Sequence, residues 1–299
     1  VRLLILGAHG FLGRHVHAHL ARQPGLSVRA GPRSRALDLS SVASGTWLDL
    51  LDQARPDAVV NCAGRTSGDL AELTRANVTL VEHLIEAVAA CGRPIHVVHL
   101  GSAAEYGPHP GAVDEDAPPR PGSPYGVTKL AGTHALLAAR GAFPVTVLRV
   151  GNPIGRGQSE GSLPGRAALE FQRAVQLGLP DVTFGDLSAR RDFIDARDLA
   201  RAVETVVRRP PADPVLNVGR GEAVPARPLI EELAHLAGFR GRIHENAAGS
   251  SRSGAVPSQH GDTRRLRRLG WAPAYSLQDA LAALWQGTVR ANTHRLPVT

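Results

Sequence analysis

Short apolar runs alternate with stretches of helical period along the first half of the chain. Val1 to Leu6 reads VRLLIL, and similar runs return at 26–30, 57–61 and 95–100. Runs so short, with little polar alternation, predict strands buried on both faces. Between them, Phe11 to Arg22 is an amphipathic helix closed near Pro24–Gly25, and Trp47 to Ala54 is a shorter one. The stretch from Asp69 to Ala90 carries Leu73, Asn77, Leu80, Val81, Leu84 and Val88 on a single helical stripe. Pro124 opens a further helix running to about Arg140, and Val145 to Val150 is the next strand. The alternation predicts an α/β fold, a Rossmann-type doubly wound parallel sheet with binding at the carboxyl ends of its strands.

From about residue 166 the pattern changes. Leu169 to Gln176, Asp198 to Val207, Leu229 to Ala237 and Leu277 to Leu284 predict helices, the last begun by Ser276, and Val215 to Val218 a strand. Residues 246–258 are small and polar and predict a mobile loop. The division expected is a first domain over 1–165, with returning segments near 191–220, and a smaller C-terminal lobe made mainly from 166–299.

The turn after the first strand sharpens this picture. Gly7-Ala8-His9-Gly10-Phe11-Leu12-Gly13 stands between a strand and a helix. Gly7 permits a tight turn, Gly10 lets a pyrophosphate approach the backbone, and Gly13 lets helix and strand lie close. The helix N-terminus offers unpaired N–H groups to phosphates. The first interval is one residue longer than in the usual dinucleotide fingerprint. After the second strand, Arg33, Ser34 and Arg35 stand where an acid often receives a ribose; they suit a 2′-phosphate, which favours NADP(H) while leaving NAD(H) possible. The bland alternative is a solvated loop, with Asp38 too far along to replace the acid. Asp49, with Leu50, lies either at the adenine edge or simply in a helix. Asn61-Cys62-Ala63-Gly64 ends its strand with small residues, as passage beneath a cofactor requires. Asn77 either orients backbone near the site or is a half-exposed asparagine.

Charge and composition narrow the classes. The chain has 299 residues, a net charge of +7, 4% aromatic residues and two cysteines, Cys62 and Cys91. Most of the arginines are scattered, which argues against nucleic acid and for anionic small molecules. Two cysteines in a chain of this size read as reduced and cytoplasmic. No apolar run is long enough to predict a membrane span. The histidines do not cluster as metal ligands. Asp114, Glu115 and Asp116 read as a solvated loop or cap, and Asp198 as a helix cap.

The sharpest chemical signal is Tyr125 with Lys129, four apart on one helical face. An ammonium beside a phenol favours the phenolate and lowers its pKa from about 10. Lys129 is the only lysine in the sequence; arginine serves every other cationic position, so a plain surface pair is a weaker reading. Ser102 could hold a substrate oxygen beside the phenol. Together these groups would pass a proton to a carbonyl as hydride arrives.

In order and spacing these pieces resemble the extended short-chain dehydrogenase/reductase family, in its nucleotide-sugar epimerase, dehydratase and reductase branch. The resemblance rests on the glycine turn, Asn61-Cys62-Ala63-Gly64, Ser102 to Gly107, Tyr125-Gly-Val-Thr-Lys129 and Arg149-Val-Gly-Asn152-Pro153. Arg191-Asp192-Phe193-Ile194, Asn217-Val218-Gly219 and Leu269-Gly270-Trp271 complete it. It implies Ser102, Tyr125 and Lys129 as the catalytic triad. It also implies Gly7, Gly10, Phe11, Leu12 and Lys129 against the cofactor, Asn152 and Pro153 beside the nicotinamide, and Arg191 on a substrate diphosphate. A homodimer through the helices at 69–90 and 124–140 is implied as well. Dehydratases of the branch carry Asp-Glu after the catalytic Ser or Thr; here Ala103 and Ala104 line the substrate instead, which argues against dehydration. The expected activity is NADPH-dependent reduction of a keto group on a nucleotide-linked deoxysugar. The alternatives are a 4-epimerase, reduction of a non-nucleotide carbonyl, and a non-catalytic nucleotide sensor or scaffold.

Overall fold

The structure is a computed structural model that describes residues 1–109, 111–245 and 256–293. Six strands form its central sheet: β1 Arg2–Leu6, β2 Ser27–Ala30, β3 Ala58–Asn61, β4 His96–Ser102, β5 Val145–Val150 and β6 Val215–Val218. Their order is β6-β5-β4-β3-β1-β2, and every neighbouring pair is parallel. The chain goes from β1 outward to β2, then crosses to the other side of β1 as β3. Crevices at the carboxyl ends of strands open at such a reversal.

The apolar strands are continuous because both faces are covered. Side chains alternate along a strand, and the clusters follow that alternation. Leu3 and Ile5 pack on one face with Val60, Val98 and Leu148. Leu4 and Leu6 pack on the other with Val59, Val97 and Val147. Helices Phe11–Leu20 and Ala196–Arg208 cover the first face; Ser44–Ala54, Leu80–Ala90 and Pro124–Ala139 cover the second. The glycine turn depends on close approach. Gly7 is left-handed at φ +70°, and a Cβ on Gly13 would lie 2.0 Å from the Gly7 carbonyl oxygen.

The smaller lobe has its own core, built from helices Leu163–Leu177, Ala226–Ala237 and Leu277–Thr293. Its strands are short. Phe193–Asp195 pairs in parallel with Asn152–Ile154, and Arg242–Glu245 with Asp181–Phe184. A further sheet of two- to four-residue strands runs in the order Val224–Pro225, Arg190–Arg191, Ser258–Gly261, Ala112–Val113.

Several expectations are corrected here. The first lobe helix begins at Leu163, because Ser162 Oγ accepts from the Gly165 N–H and Pro164 suits the first turn. Helix Ala196–Arg208 is capped by Asp195, not Asp198. Asp198 is buried and accepts from the Ala274 and Tyr275 N–H groups, tying the helix to a distant loop. Glu115 is not solvated: it is buried and accepts the Asn217 N–H at 2.9 Å. Of the expected loop, 246–255 lies outside the described residues, and Ser258 opens a strand.

Candidate active site

β4 ends at Ser102 and turns at once through the single 3-10 turn Ala103–Glu105. Ser102 Oγ accepts the Ala104 N–H at 3.2 Å, and Glu105 Oε1 accepts the Ser102 N–H at 2.8 Å. Glu105 is fully buried and pairs with buried Arg149 at 2.9 Å. The Arg149 guanidinium lies 4.4 Å from the centre of the Tyr106 ring, whose hydroxyl donates to Asn217 Oδ1 at 2.7 Å. Burial pushes the Tyr106 phenol up to about 12, so this tyrosine stays protonated and structural. A satisfied buried network of this kind fixes the turn that presents Ser102.

The helix Pro124–Ala139 brings the other two residues expected of the triad. Ser123 caps it by accepting the Gly126 N–H at 3.1 Å. A Cβ on Gly126 would stand 2.5 Å from the Ala104 carbonyl oxygen, so glycine alone lets the helix lie against the Ser102 turn. Tyr125 is half-buried beside it. Lys129 is buried, and Nζ donates to the Leu100 carbonyl at 2.7 Å while standing 3.1 Å from His99 Nε2. Burial brings its pKa down to about 8, with the charge of Glu105 opposing this. Asn77 lies in the single π turn Arg75–Thr79, where helical geometry widens. It is buried and orients backbone, accepting the Arg65 N–H and donating to the Arg65 carbonyl and Thr128 Oγ1.

The glycine turn fits a dinucleotide. A Cβ on Gly10 would meet only the Gly7 carbonyl oxygen, at 3.3 Å, so this backbone is left bare on its outer side. Arg14 donates to the Gly10 and His9 carbonyls, a cation beside the cradle that spacing alone did not single out. Phe11 and Leu12 open the helix that follows. Cys62, Ala63 and Gly64 continue from β3 beside this turn: a Cβ on Gly7 would stand 2.6 Å from the Ala63 nitrogen. Arg33, Ser34 and Arg35 are exposed just beyond β2. Asp49 is exposed midway along Ser44–Ala54, and Leu50 packs into the core. The segment folded back after β2 is instead Asp38–Leu39. Asp38 accepts from the Ser40 hydroxyl and N–H, which lowers its pKa, with Arg75 adding attraction. The Leu39 carbonyl accepts from Trp47 Nε1 at 3.0 Å.

On the side expected to take substrate, Asn152 donates its N–H to the Asp192 carbonyl at 2.8 Å, where the strand of Asn152 and Pro153 meets the strand Phe193–Asp195 that follows Arg191. Arg191 is buried, and burial lowers its pKa. Burial pushes the Asp192 carboxyl up to about 6, against the Arg220 and Gly221 N–H groups it accepts. Ala103, Tyr106, Asn152, Asp192, Gln259 and His260 line a cleft of about 10 Å³, room for one water. Tyr125 and Lys129 do not line it. Gln259 closes it by donating to the Ala103 and Gly107 carbonyls. The sequence offered no spacing signal for Gln259. Among the described residues no group of three His, Cys, Asp or Glu side chains is placed to hold a metal ion.

A model of the NAD dependent epimerase/dehydratase family matches residues 3–219. The dTDP-6-deoxy-L-talose 4-dehydrogenase (NAD(P)(+)) of Kitasatospora kifunensis is 38% identical over 300 residues, spanning 95% of this chain and 94% of that protein. The GDP-6-deoxy-D-mannose reductase of Pseudomonas aeruginosa is 29% identical across 97% of this chain and 98% of that one. The structure of RMD from Pseudomonas aeruginosa complexed with NADPH superposes with a TM-score of 0.87 at 27% identity, over 97% of this chain and 100% of that chain.

Proposed function

The chain belongs to the NAD-dependent epimerase/dehydratase family, and from that premise we propose that it reduces a keto group on a nucleotide-linked deoxysugar with NADPH. The observation that carries this is the helix of Tyr125 and Lys129 packed at Gly126 against the Ser102 turn, with Ala103 and Ala104 in place of the carboxylates a dehydratase needs. The talose and mannose relatives are named for oxidoreduction of nucleotide-linked 6-deoxysugars, the first at carbon 4.

Gly7, Gly10, Gly13 and the N–H groups at Phe11 and Leu12 would hold the dinucleotide phosphates, and Arg33, Ser34 and Arg35 a 2′-phosphate. Lys129, Asn152 and Pro153 would border its nicotinamide half. When bound, the dinucleotide supplies hydride. Ser102 Oγ orients the substrate oxygen. Tyr125 gives that oxygen its phenolic proton, so the carbonyl becomes an alcohol. A charged Lys129 one turn along the helix stabilises the phenolate left behind. Arg191, desolvated and cationic, suits the substrate diphosphate.

The carboxylate count argues against dehydration, and the two arginines after β2 favour an exchanging NADPH over a tightly kept NAD. A homodimer is part of the same reading. Leu70 and Val127, on the two helices that would meet, are 61% and 49% exposed. Cys62 and Cys91 are free thiols, which suits a reducing cytoplasm. Among the described residues no helix is long and apolar enough to cross a membrane. The test is a screen of dTDP- and GDP-linked 4-keto-6-deoxyhexoses, followed at the reduced-nicotinamide band. Consumption of NADPH with one of them supports the reading. Conversion of a sugar with no net NADPH consumed would make the protein an epimerase instead.

A further inference from the structure

Two buried groups take no part in the chemistry above. Asn61 and His99 are register partners on β3 and β4, and both are fully buried. Burial and nearby Lys129 hold the His99 imidazole well below its ordinary pKa. The ring is therefore neutral, with one N–H and one lone pair.

The neighbours decide which nitrogen carries the proton. The Ala63 backbone N–H can only donate, and it donates to Asn61 Oδ1 at 3.0 Å. That fixes the amide, so Asn61 Nδ2, also only a donor, faces His99 Nδ1 at 3.1 Å. Nδ1 is then the acceptor, and the proton sits on Nε2. Nε2 faces Lys129 Nζ at 3.1 Å. An ammonium has donors and no acceptor, so it would meet this N–H head-on. An uncharged amine can accept that hydrogen and still donate to the Leu100 carbonyl at 2.7 Å.

We propose that His99 is a positioning residue that holds Lys129 as an uncharged amine, at the end of a one-way run of donors from Ala63 through Asn61, and that Lys129 takes up a proton when the dinucleotide binds. The second half rests on the cofactor reading above; the first does not. The charged and titratable groups around Lys129 permit this arrangement. Glu105 spends its charge in the buried pair with Arg149. Burial pushes the Cys62 thiol up to about 12, so it supplies no anion at neutral pH. Tyr125 stands one turn back on the same helix. Burial outweighs the opposing pull and brings Lys129 down to about 8, and an N–H aimed at Nζ lowers it further. The proton donor of the reaction is thus armed only in the loaded protein, because an uncharged amine gives a phenolate no support.

The single lysine makes the test direct. Protein grown with ¹³C-lysine gives one Cε signal, that of Lys129. In the free protein it is expected to titrate with a midpoint below neutral pH, lower than burial alone would set it, and long-range ¹⁵N spectra of His99 to show the Nε2–H tautomer. His99 is assigned by its loss in His99→Phe or, should that variant not fold, by its proximity to the labelled Cε. A midpoint above neutral pH, or an Nδ1–H tautomer, overturns the proposal. Above the midpoint, adding NADP⁺ should move the signal to its charged position. The binding heat should then depend on the buffer by an amount approaching one proton per chain. Binding with the signal unmoved overturns the second half alone. No binding of NADP⁺ overturns the cofactor reading and leaves the storage of Lys129 to the free-protein spectra.

Discussion

In the six-stranded sheet, successive residues of β1 alternate between two apolar clusters, and Lys129 and His99 are buried among residues placed by that alternation. In the smaller lobe, strands of two to four residues are tied by polar side chains: Asp192 to the Arg220 and Gly221 N–H groups, Asn217 to the Val113 and Asp262 carbonyls, Gln259 to those of Ala103 and Gly107. The first region places the elements that carry Ser102, Tyr125 and Lys129 by apolar packing, which pH and salt disturb little. The second holds the substrate end by hydrogen bonds that can be exchanged one at a time.

Removing the acid from the packed region should have the largest effect. Tyr125→Phe should lower kcat by about 10² to 10⁴-fold, the range for general acid catalysis, while NADPH still binds in a fluorescence titration. Unchanged turnover would place the acid elsewhere.

The junction between the regions comes next. Glu105→Ala strands the buried Arg149 and removes the acceptor for the Ser102 N–H. Breaking one side of a buried pair costs about 3–5 kcal/mol, to be read from urea unfolding. A loss under about 1 kcal/mol, the worth of a surface pair, would mean the Ser102 turn stands without this network.

Asp192 sharpens the contrast through pH. Its folded pKa of about 6 lies above that of an unfolded aspartate. The native state therefore binds this proton more tightly, and its contribution is present at low pH and lost as pH rises through about 6. Asp192→Asn, which mimics the protonated form, should gain on the parent by about 2 kcal/mol between pH 4 and pH 7, most of the two-unit shift converted. Parallel stability curves would place the carboxyl in water.

The smallest effect lies at the rim. Arg33→Ala should weaken NADPH about tenfold, or about 1.4 kcal/mol, through a lost phosphate contact, and leave NADH nearly unchanged. Equal losses for both would remove the 2′-phosphate reading.

How far the sequence could be read follows the same division. The six sheet strands, and the face shared by Tyr125 and Lys129, were legible because each has a period or a fixed spacing. Arg190–Arg191 and Ala112–Val113 were not, since two residues carry no period. The path after β2 was not legible because it depends on a turn: the Ala36 and Leu37 N–H groups donate to the Arg33 carbonyl and fold the chain back. Glu115 read as solvated because its partner, the Asn217 N–H, lies 102 residues away. His99 stood in plain view as a polar residue in an apolar strand, but only the β3–β4 register puts it beside Asn61.

The central claim is net hydride delivery from an exchanging dinucleotide to a sugar carbonyl, with Tyr125 supplying the proton. Turnover of a nucleotide-linked keto-deoxysugar with NADPH deuterated at the transferred position tests it directly. The account predicts one deuterium at the new alcohol carbon, and none formed by Tyr125→Phe. An altered sugar free of deuterium, with the NADPH unspent, would contradict it.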